Sequence, residues 1–338
     1  MRLAYLYAAA LLIAAGTTLL VTPYVRRLAL HVGMLDQTGD RRMHADPKPR
    51  IGGLAVYLGF AFALFATLGY AIQYTPLFHD VHDLNRFLGL LFGGTLILIF
   101  GVWDDVVSIS PRGKFLAQIV VALVSMSYGF TITTVENPFR DGEYFGFPIY
   151  FAIPITLFWY LGIMNAINFL DGLDGLLSGF TAISGFFLFL IAVSHHYDVA
   201  ALVLCALVGG TLGFLRYNFN PASIILGDTG SLFIGYMLAT VGVLTTSKTA
   251  LTVSLVVPLL ALALPIVDIA AAIVRRTRAG RKFYEADRGH IHHVLVFQFG
   301  LNVRQAVLLI YAVTFALGVA AFALAGGFSH PLKIAGAI

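Results

Sequence analysis

Long apolar runs separated by short polar segments dominate the chain, at about 3–25, 51–72, 87–103, 114–132, 149–167, 175–194, 199–216, 230–246, 251–274 and 304–325. Stretches such as 51–72 (IGGLAVYLGFAFALFATLGYAI) are nearly free of charge. They reach the roughly 20 residues a helix needs to cross a hydrocarbon layer of about 30 Å. The pattern predicts an all-α integral membrane protein of about ten transmembrane helices, with residues 1–338 forming one polytopic domain and no soluble appendage. The first run is preceded by Arg2 alone and followed by Arg26 and Arg27. That is the reverse of a signal peptide's charge order, so it is expected to be the first spanning helix.

Composition agrees: 59% of residues are hydrophobic and 11% charged, against roughly 45–50% and 25% in soluble domains. No water-soluble fold of this size hides so much apolar surface. The lone cysteine, Cys205, lies inside an apolar run, which excludes a disulfide framework and a Cys-based metal site and leaves a packing role. Segments 26–50, 104–114, 168–174, 216–229 and 275–304 carry 16 of the 21 Lys and Arg residues. Basic residues stay on the cytoplasmic side, so both termini are expected outside and these five loops inside. His79, His82, His195 and His196 fall on the outer side without a carboxylate pattern and are expected to be interfacial, solvated side chains.

Four inner loops carry compact polar motifs that helix parity brings to one face. The first is Trp103-Asp104-Asp105, with Arg112 and Lys114 following. Adjacent carboxylates both stay ionised only beside a cation, which suggests Mg²⁺ or a phosphate-linked metal site; a solvated helix end is the plain alternative. The second is Asn165-Ala-Ile-Asn168-Phe-Leu-Asp171-Gly-Leu-Asp174-Gly175. Asp171 and Asp174 would share a face of a helical turn, and Gly172 and Gly175 admit a ligand to the backbone. Asp174 as a helix N-cap explains one of these polar residues but not all four.

The third motif, Asn218-Phe-Asn220-Pro221 through Gly227-Asp228-Thr229-Gly230-Ser231, runs into a helix. Asp228 or Thr229 is a candidate cap; Asp228 is equally a candidate metal ligand, with the helix N-terminus offering amides to phosphate. The fourth combines Arg275, Arg276, Arg278, Arg281 and Lys282 with Asp287-Arg288-Gly289-His290-Ile291-His292-His293. Its basic run reads first as a topology signal that binds anionic lipid headgroups. The surrounding cations disfavour Zn²⁺ on the three histidines and suit anion binding. Carboxylates for a hard metal beside Arg, Lys and His donors for phosphate are what phosphoryl transfer requires.

These motifs, with His44 to Gly53 (HADPKPRIGG) before them, occur in the order found in the polyprenyl-phosphate N-acetylhexosamine-1-phosphate transferases. The chain resembles that family over nearly its whole length; phospho-MurNAc-pentapeptide translocase and the GlcNAc-1-phosphate transferases of O-antigen and teichoic acid synthesis belong to it. The resemblance implies transfer of a sugar 1-phosphate from a UDP-N-acetylhexosamine to undecaprenyl phosphate, releasing UMP, in the bacterial inner membrane with the active site on its cytoplasmic face. It implies Mg²⁺ as cofactor, with Mn²⁺ a substitute. Implied partners are those two substrates and membrane lipids, with no nucleic acid and with a homodimer as one open assembly.

By motif, Asp228 resembles the principal metal ligand with Asp105 nearby, and Asp104 the residue acting as base or nucleophile. Asp171 and Asn168 resemble residues at the uridine and metal end of the pocket. Lys114, Asn165, Asp174, Asn218, Arg278, Arg288, His290, His292, His293 and His44 are the remaining substrate-binding candidates. The Asp-Arg-x-His-Ile-His-His cluster and Asp268 in PIVDIAAAIVRR are similar to the GlcNAc-1-phosphate branch, though Ala286 stands where Pro often precedes Asp287. A cation-coupled transporter, whose acids lie near the bilayer midplane, fits less well: only Asp268 is immersed. A CDP-alcohol phosphatidyltransferase is excluded because Leu-Leu-Ser-Gly-Phe follows Asp174-Gly175.

Overall fold

The computed structural model describes residues 2–36, 47–75, 77–78, 81–136, 144–246, 257–278, 280 and 289–327. Helices are α1 Arg2–Val32, α2 Gly52–Tyr74, α3 Val81–Val107, α4 Pro111–Ser127, α5 Ile149–Leu170, α6 Leu176–Ser194, α7 Asp198–Asn218, α8 Gly227–Thr246, α9 Val257–Ala261, α10 Ala263–Arg278, α11 Ile291–His293 and α12 Val303–Leu324. A π-helical turn at Val294–Gln298 and two short antiparallel ribbons complete the described elements: β1 Leu35–Asp36 with β2 Lys48–Pro49, and β3 Thr134–Glu136 with β4 Tyr144–Gly146.

Among the described residues, eight helices (α1, α2, α3, α5, α6, α7, α8 and α12) are long and apolar enough to cross a membrane. The chain is a multi-pass membrane protein. The other two of the ten predicted runs are also helical but shorter. Ser110 caps α4 by accepting from Gly113 N at 3.3 Å, with Pro111 in the first turn. The resulting helix has 17 residues, about 26 Å at 1.5 Å per residue. The run at 251–274 divides at Leu262 into α9 and α10.

Lipid tails are as apolar as leucine, so helices here associate through close packing of small residues. Along α1 the buried side chains include Ala10, Ala14, Thr18, Thr22 and Ala29, while Tyr5, Leu12, Leu20 and Tyr24 face outward. The small stripe packs against α7 and α2, and Thr18 Oγ1 donates to Ala55 O at 3.3 Å. Helix α8 is the central post, contacted by α2, α3, α5, α6 and α7. Its polar residues find partners there: Trp159 Nε1 donates to Ala239 O at 2.9 Å, and Tyr236 shares a hydrogen bond with Ser125 at 2.8 Å.

Alternation holds at both ends of the bundle. At one end Arg2 donates to Tyr74 O at 3.4 Å and His195 contacts Ala325 O at 3.1 Å. At the other end the first loop lies along the segment before α8: Ile225 N donates to Pro49 O, and Gly52 N and Gly53 N donate to Ile225 O and Leu226 O. This pairing brings Arg50 beside Ile225.

Candidate active site

The polar motifs converge at this second end. A cavity of about 250 Å³ is walled by Asp36, Arg50, Asn168, Asp171, Gly172, Leu173, Asp174, Asn218, Ile225, Gly227, Asp228, Ser231 and His293. Five separate stretches of chain supply it, namely the loops after α1, α5 and α7, the start of α8, and the histidine segment.

Asp228, on the first turn of α8, is the hub. Its Oδ1 accepts from Asn168 Nδ2 at 2.6 Å; its Oδ2 takes Arg50 Nη2 at 2.7 Å and Lys114 Nζ at 3.1 Å. Asn168 also donates to Ser231 Oγ at 2.7 Å, tying the end of α5 to α8. The chain reaches Asp228 through Gly227, whose φ of +72° suits glycine, and a Cβ there would run into Asp105 Oδ2.

Neither Asp228 nor Thr229 caps α8 with its own side chain. Asp105, from α3, does so from outside: Oδ1 accepts from Asp228 N at 2.9 Å, and Oδ2 accepts from Thr229 N at 2.9 Å and Thr229 Oγ1 at 2.6 Å. Arg50 Nε completes the set at 2.7 Å on Oδ1. A negative group at a helix N-terminus satisfies orphan amides and the helix dipole together. The adjacent Asp104 points elsewhere, pairing with Lys114 and accepting from Ile109 N at 2.8 Å. The two neighbouring acids therefore do different things: one fixes α8, the other faces the lysine that also holds Asp228.

Asp171 and Asp174 lie in a turn after α5, not on a helix, and Gly175 rather than Asp174 is the N-cap of α6. Asp174 accepts through Oδ2 from Lys48 at 2.7 Å, Asn220 Nδ2 at 3.0 Å and Ala222 N at 2.9 Å, latching three loops. Asp171 lines the cavity, and no hydrogen bond or ion pair joins its carboxylate to another described side chain. Burial, then Asp228 and Asp105, push its pKa up to about 8. Asn218 is committed to structure, accepting from Ser178 at 2.8 Å and donating to Ile224 O at 3.1 Å, although it touches the cavity.

In the histidine segment, His290 Nδ1 meets Asp268 Oδ2 at 3.0 Å, and Ile291 N donates to Asp268 Oδ1 at 2.9 Å. His290 stacks on Phe169 with ring centroids 5.3 Å apart. His292, 2% exposed, packs against Gly172, where a Cβ would strike its Nε2. Its Nδ1 has no hydrogen-bond partner among the described residues. Burial, then His293, lower its pKa to about 3, so it is neutral near pH 7. His293 alone of the three reaches the cavity wall.

Other candidates lie apart. Asn165 donates to Gln118 Oε1 and Leu161 O, each at 2.7 Å, joining α5 to α4 away from the cavity wall. Arg278 is exposed on the last turn of α10. His44, Arg288 and the outer His79 lie outside the described residues. Two side chains that sequence reasoning missed are central: Arg50, between Asp105 and Asp228, and Lys48, on Asp174. Both lie in the HADPKPRIGG stretch that the family resemblance includes, but neither was singled out from it.

The charge balance bears on a metal. Around the cavity stand Asp36, Asp104, Asp105, Asp171, Asp174 and Asp228, against the fixed cations Lys48, Arg50 and Lys114 among the described residues. An anionic pocket of this kind suits a hard divalent cation. Among the described residues, no three His, Cys, Asp or Glu side chains gather at metal-binding spacing. Mg²⁺ is commonly held by one or two carboxylates plus substrate phosphates rather than by an all-protein cage. Asp228 fits that arrangement, as does Asp171, whose carboxyl holds its proton near pH 7 until a cation takes its place.

A family model described as Glycosyl transferase family 4 matches residues 87–246. A probable undecaprenyl-phosphate N-acetylglucosaminyl 1-phosphate transferase of Bacillus subtilis (strain 168) is 34% identical over 309 residues, covering 91% of this chain and 82% of that protein. A decaprenyl-phosphate N-acetylglucosaminephosphotransferase of Mycolicibacterium smegmatis is 34% identical, covering 89% and 77%. A phospho-N-acetylmuramoyl-pentapeptide-transferase of Bacillus cytotoxicus is 29% identical, covering 92% and 94%. With the polar motifs of four loops meeting at one cavity and this similarity along nearly the whole chain, the protein belongs to glycosyl transferase family 4.

Proposed function

We propose that the chain transfers N-acetylglucosamine 1-phosphate from UDP-N-acetylglucosamine to undecaprenyl phosphate, releasing UMP, at the cytoplasmic face of a bacterial inner membrane. One observation carries the reading: carboxylates and cations from four loops meet around Asp228 at one end of a membrane-embedded bundle, in a cavity rimmed by a histidine. The relatives named as GlcNAc-1-phosphate transferases support the sugar and the lipid class. The concentration of Lys and Arg in the same loops supports the cytoplasmic side.

Asp228 and Asp171 are the groups that would hold Mg²⁺, with Asn168 and Lys114 fixing Asp228. When bound, the ion supplies neutralisation of charge on the phosphoryl oxygens. Asp105 acts as a positioning residue, setting the first turn of α8 and hence Asp228. Arg50 is the donor for phosphate oxygens, Lys114 steadies Asp228 and Asp104 behind it, and His293 contacts the sugar-phosphate side. Asp104, buried against Lys114, is the base toward the acceptor phosphate or a nucleophile toward the donor. UMP exchange in the absence of lipid identifies the covalent route; its absence identifies the base.

The test supplies purified protein with undecaprenyl phosphate, Mg²⁺ and a panel of labelled UDP-sugars, and reads butanol-extractable label and UMP. Label from UDP-GlcNAc is the expected result, and no lipid-linked label from any UDP-N-acetylhexosamine refutes the reading. Label from UDP-MurNAc-pentapeptide alone would instead support the translocase reading, which the Bacillus cytotoxicus relative keeps in view. Asp228→Asn is expected to abolish transfer while leaving the protein monodisperse.

A further inference from the structure

We infer that Arg50 is the exchangeable counter-ion of the site: its guanidinium holds Asp228 against Asp105, yields Asp228 to an incoming divalent cation, and turns to the diphosphate of the donor. The second half rests on the function proposed above. The first half stands on geometry alone.

Asp228 Oδ2 is shared by two cations. One oxygen takes Asn168; the other takes Arg50 Nη2 at 2.7 Å and Lys114 Nζ at 3.1 Å. A divalent cation coordinated by Asp228 would stand within a few Å of both the guanidinium and the ammonium, and that repulsion favours the departure of one of them. Lys114 has a second carboxylate, Asp104, and does not line the cavity. Arg50 lines it, together with Asp171 and Asp228.

Arg50 is also built to move at its tip and not at its base. Its backbone is anchored by donation to Met34 O at 3.0 Å and by the bridge to Ile225. Its Nε is held on Asp105 Oδ1 at 2.7 Å, whereas Nη1 stands 3.8 Å from Asp36 Oδ1, beyond hydrogen-bond length. Rotation about the retained Nε contact frees the fork of Nη1 and Nη2. A planar guanidinium then offers two parallel donors to phosphate oxygens.

The test uses full-length protein in detergent and two titrations without sugar or lipid: Mn²⁺ alone by EPR, and UDP at saturating Mn²⁺ by calorimetry. Arg50→Met removes the competitor and is expected to bind Mn²⁺ about 10-fold tighter and UDP about 10-fold weaker, each about 1.4 kcal/mol. Arg50→Lys keeps the charge but cannot span both carboxylates, so intermediate shifts are expected in the same directions. If Arg50→Met does not fold, Arg50→Lys decides. Mn²⁺ affinity that is unchanged or weaker in a folded variant overturns the inference, as does UDP affinity that does not fall. Failure of transfer with every UDP-sugar would leave the Mn²⁺ result standing. Good transfer with unaltered Mn²⁺ affinity would remove only the exchange.

Discussion

The division of labour between Asp104 and Asp105 makes a sharp prediction. The Asp105 side chain is 0% exposed, accepts three hydrogen bonds, from Asp228 N, Thr229 N and Thr229 Oγ1, and pairs with Arg50 Nε at 2.7 Å. In Asp105→Asn one oxygen becomes an NH₂ group. The Thr229 hydroxyl can turn to accept from it, but an amide N–H cannot, so one buried donor of α8 is stranded at about 1–3 kcal/mol. The charge-assisted bond with Arg50 falls from ionic to neutral, a further loss of about 1–2 kcal/mol. The expected destabilisation is therefore about 2–5 kcal/mol, or roughly 3–7 °C in melting temperature for a chain of this size.

Asp104→Asn should behave differently. The bond to Ile109 N survives on the retained oxygen, and Lys114, whose side chain is 33% exposed, keeps both Asp228 and water. About 1 kcal/mol and 1–2 °C are expected, with transfer lost all the same. Thermal unfolding in detergent by a thiol-reactive dye, which reports exposure of the buried Cys205, measures both variants beside the transfer assay. Equal melting temperatures for the two, or Asp105→Asn within about 2 °C of the parent protein, would refute the assignment of Asp105 as the external cap of α8.

Other predictions follow from the same geometry. Lys48→Met strands Asp174, whose side chain is 1% exposed but keeps Asn220 and Ala222 N; a loss of about 2–3 kcal/mol is expected, partly restored by adding Asp174→Asn. Lys114→Met should lower turnover by at least about 10²-fold while shifting the melting temperature by only about 3 °C, and a larger shift would make it a structural residue. His292 binds its proton far more weakly folded, at about 3, than unfolded, so the unfolded state takes up more protons between roughly pH 6.5 and 3. Stability should fall as pH drops through that window, and melting-temperature profiles of His292→Gln should be flatter below pH 6.5. Equal slopes would show that His292 is not buried neutral.

Helix identity and the convergence of loops were legible because both rest on local facts: apolar length and the parity of spans. All ten predicted runs contain helix in the described residues, though α4 is short and the run at 251–274 is divided at Leu262. What lay beyond the sequence was pairing between distant segments. Asp105 looks like Asp104 along the chain, and only the approach of α8 to α3 makes one a cap and the other a partner of Lys114. Arg50 and Lys48 lay inside the HADPKPRIGG motif, yet nothing local to that stretch shows which carboxylate each one meets. Asn165 shares a motif with Asn168, but nearly one turn farther from the end of α5 it meets Gln118 on α4. Asp268, noticed as a branch marker and as the one immersed acid, gains its meaning from His290, 22 residues away.

Helix α8 carries Asp228 at one end and is enclosed by α2, α3, α5, α6 and α7 along its length. It is the least apolar of the eight candidate spans and the most thoroughly covered. Such a segment has little reason to enter a bilayer unaided, since Thr229, Ser231, Thr240 and Thr245 would meet hydrocarbon instead of neighbouring helices. Its transfer from the translocation machinery into the membrane is thus expected to wait for α2, α3 and α5 to offer a proteinaceous berth. Assembly order and catalytic geometry are then one problem: the helix that presents the principal carboxylate is the one that can settle only after its surroundings exist.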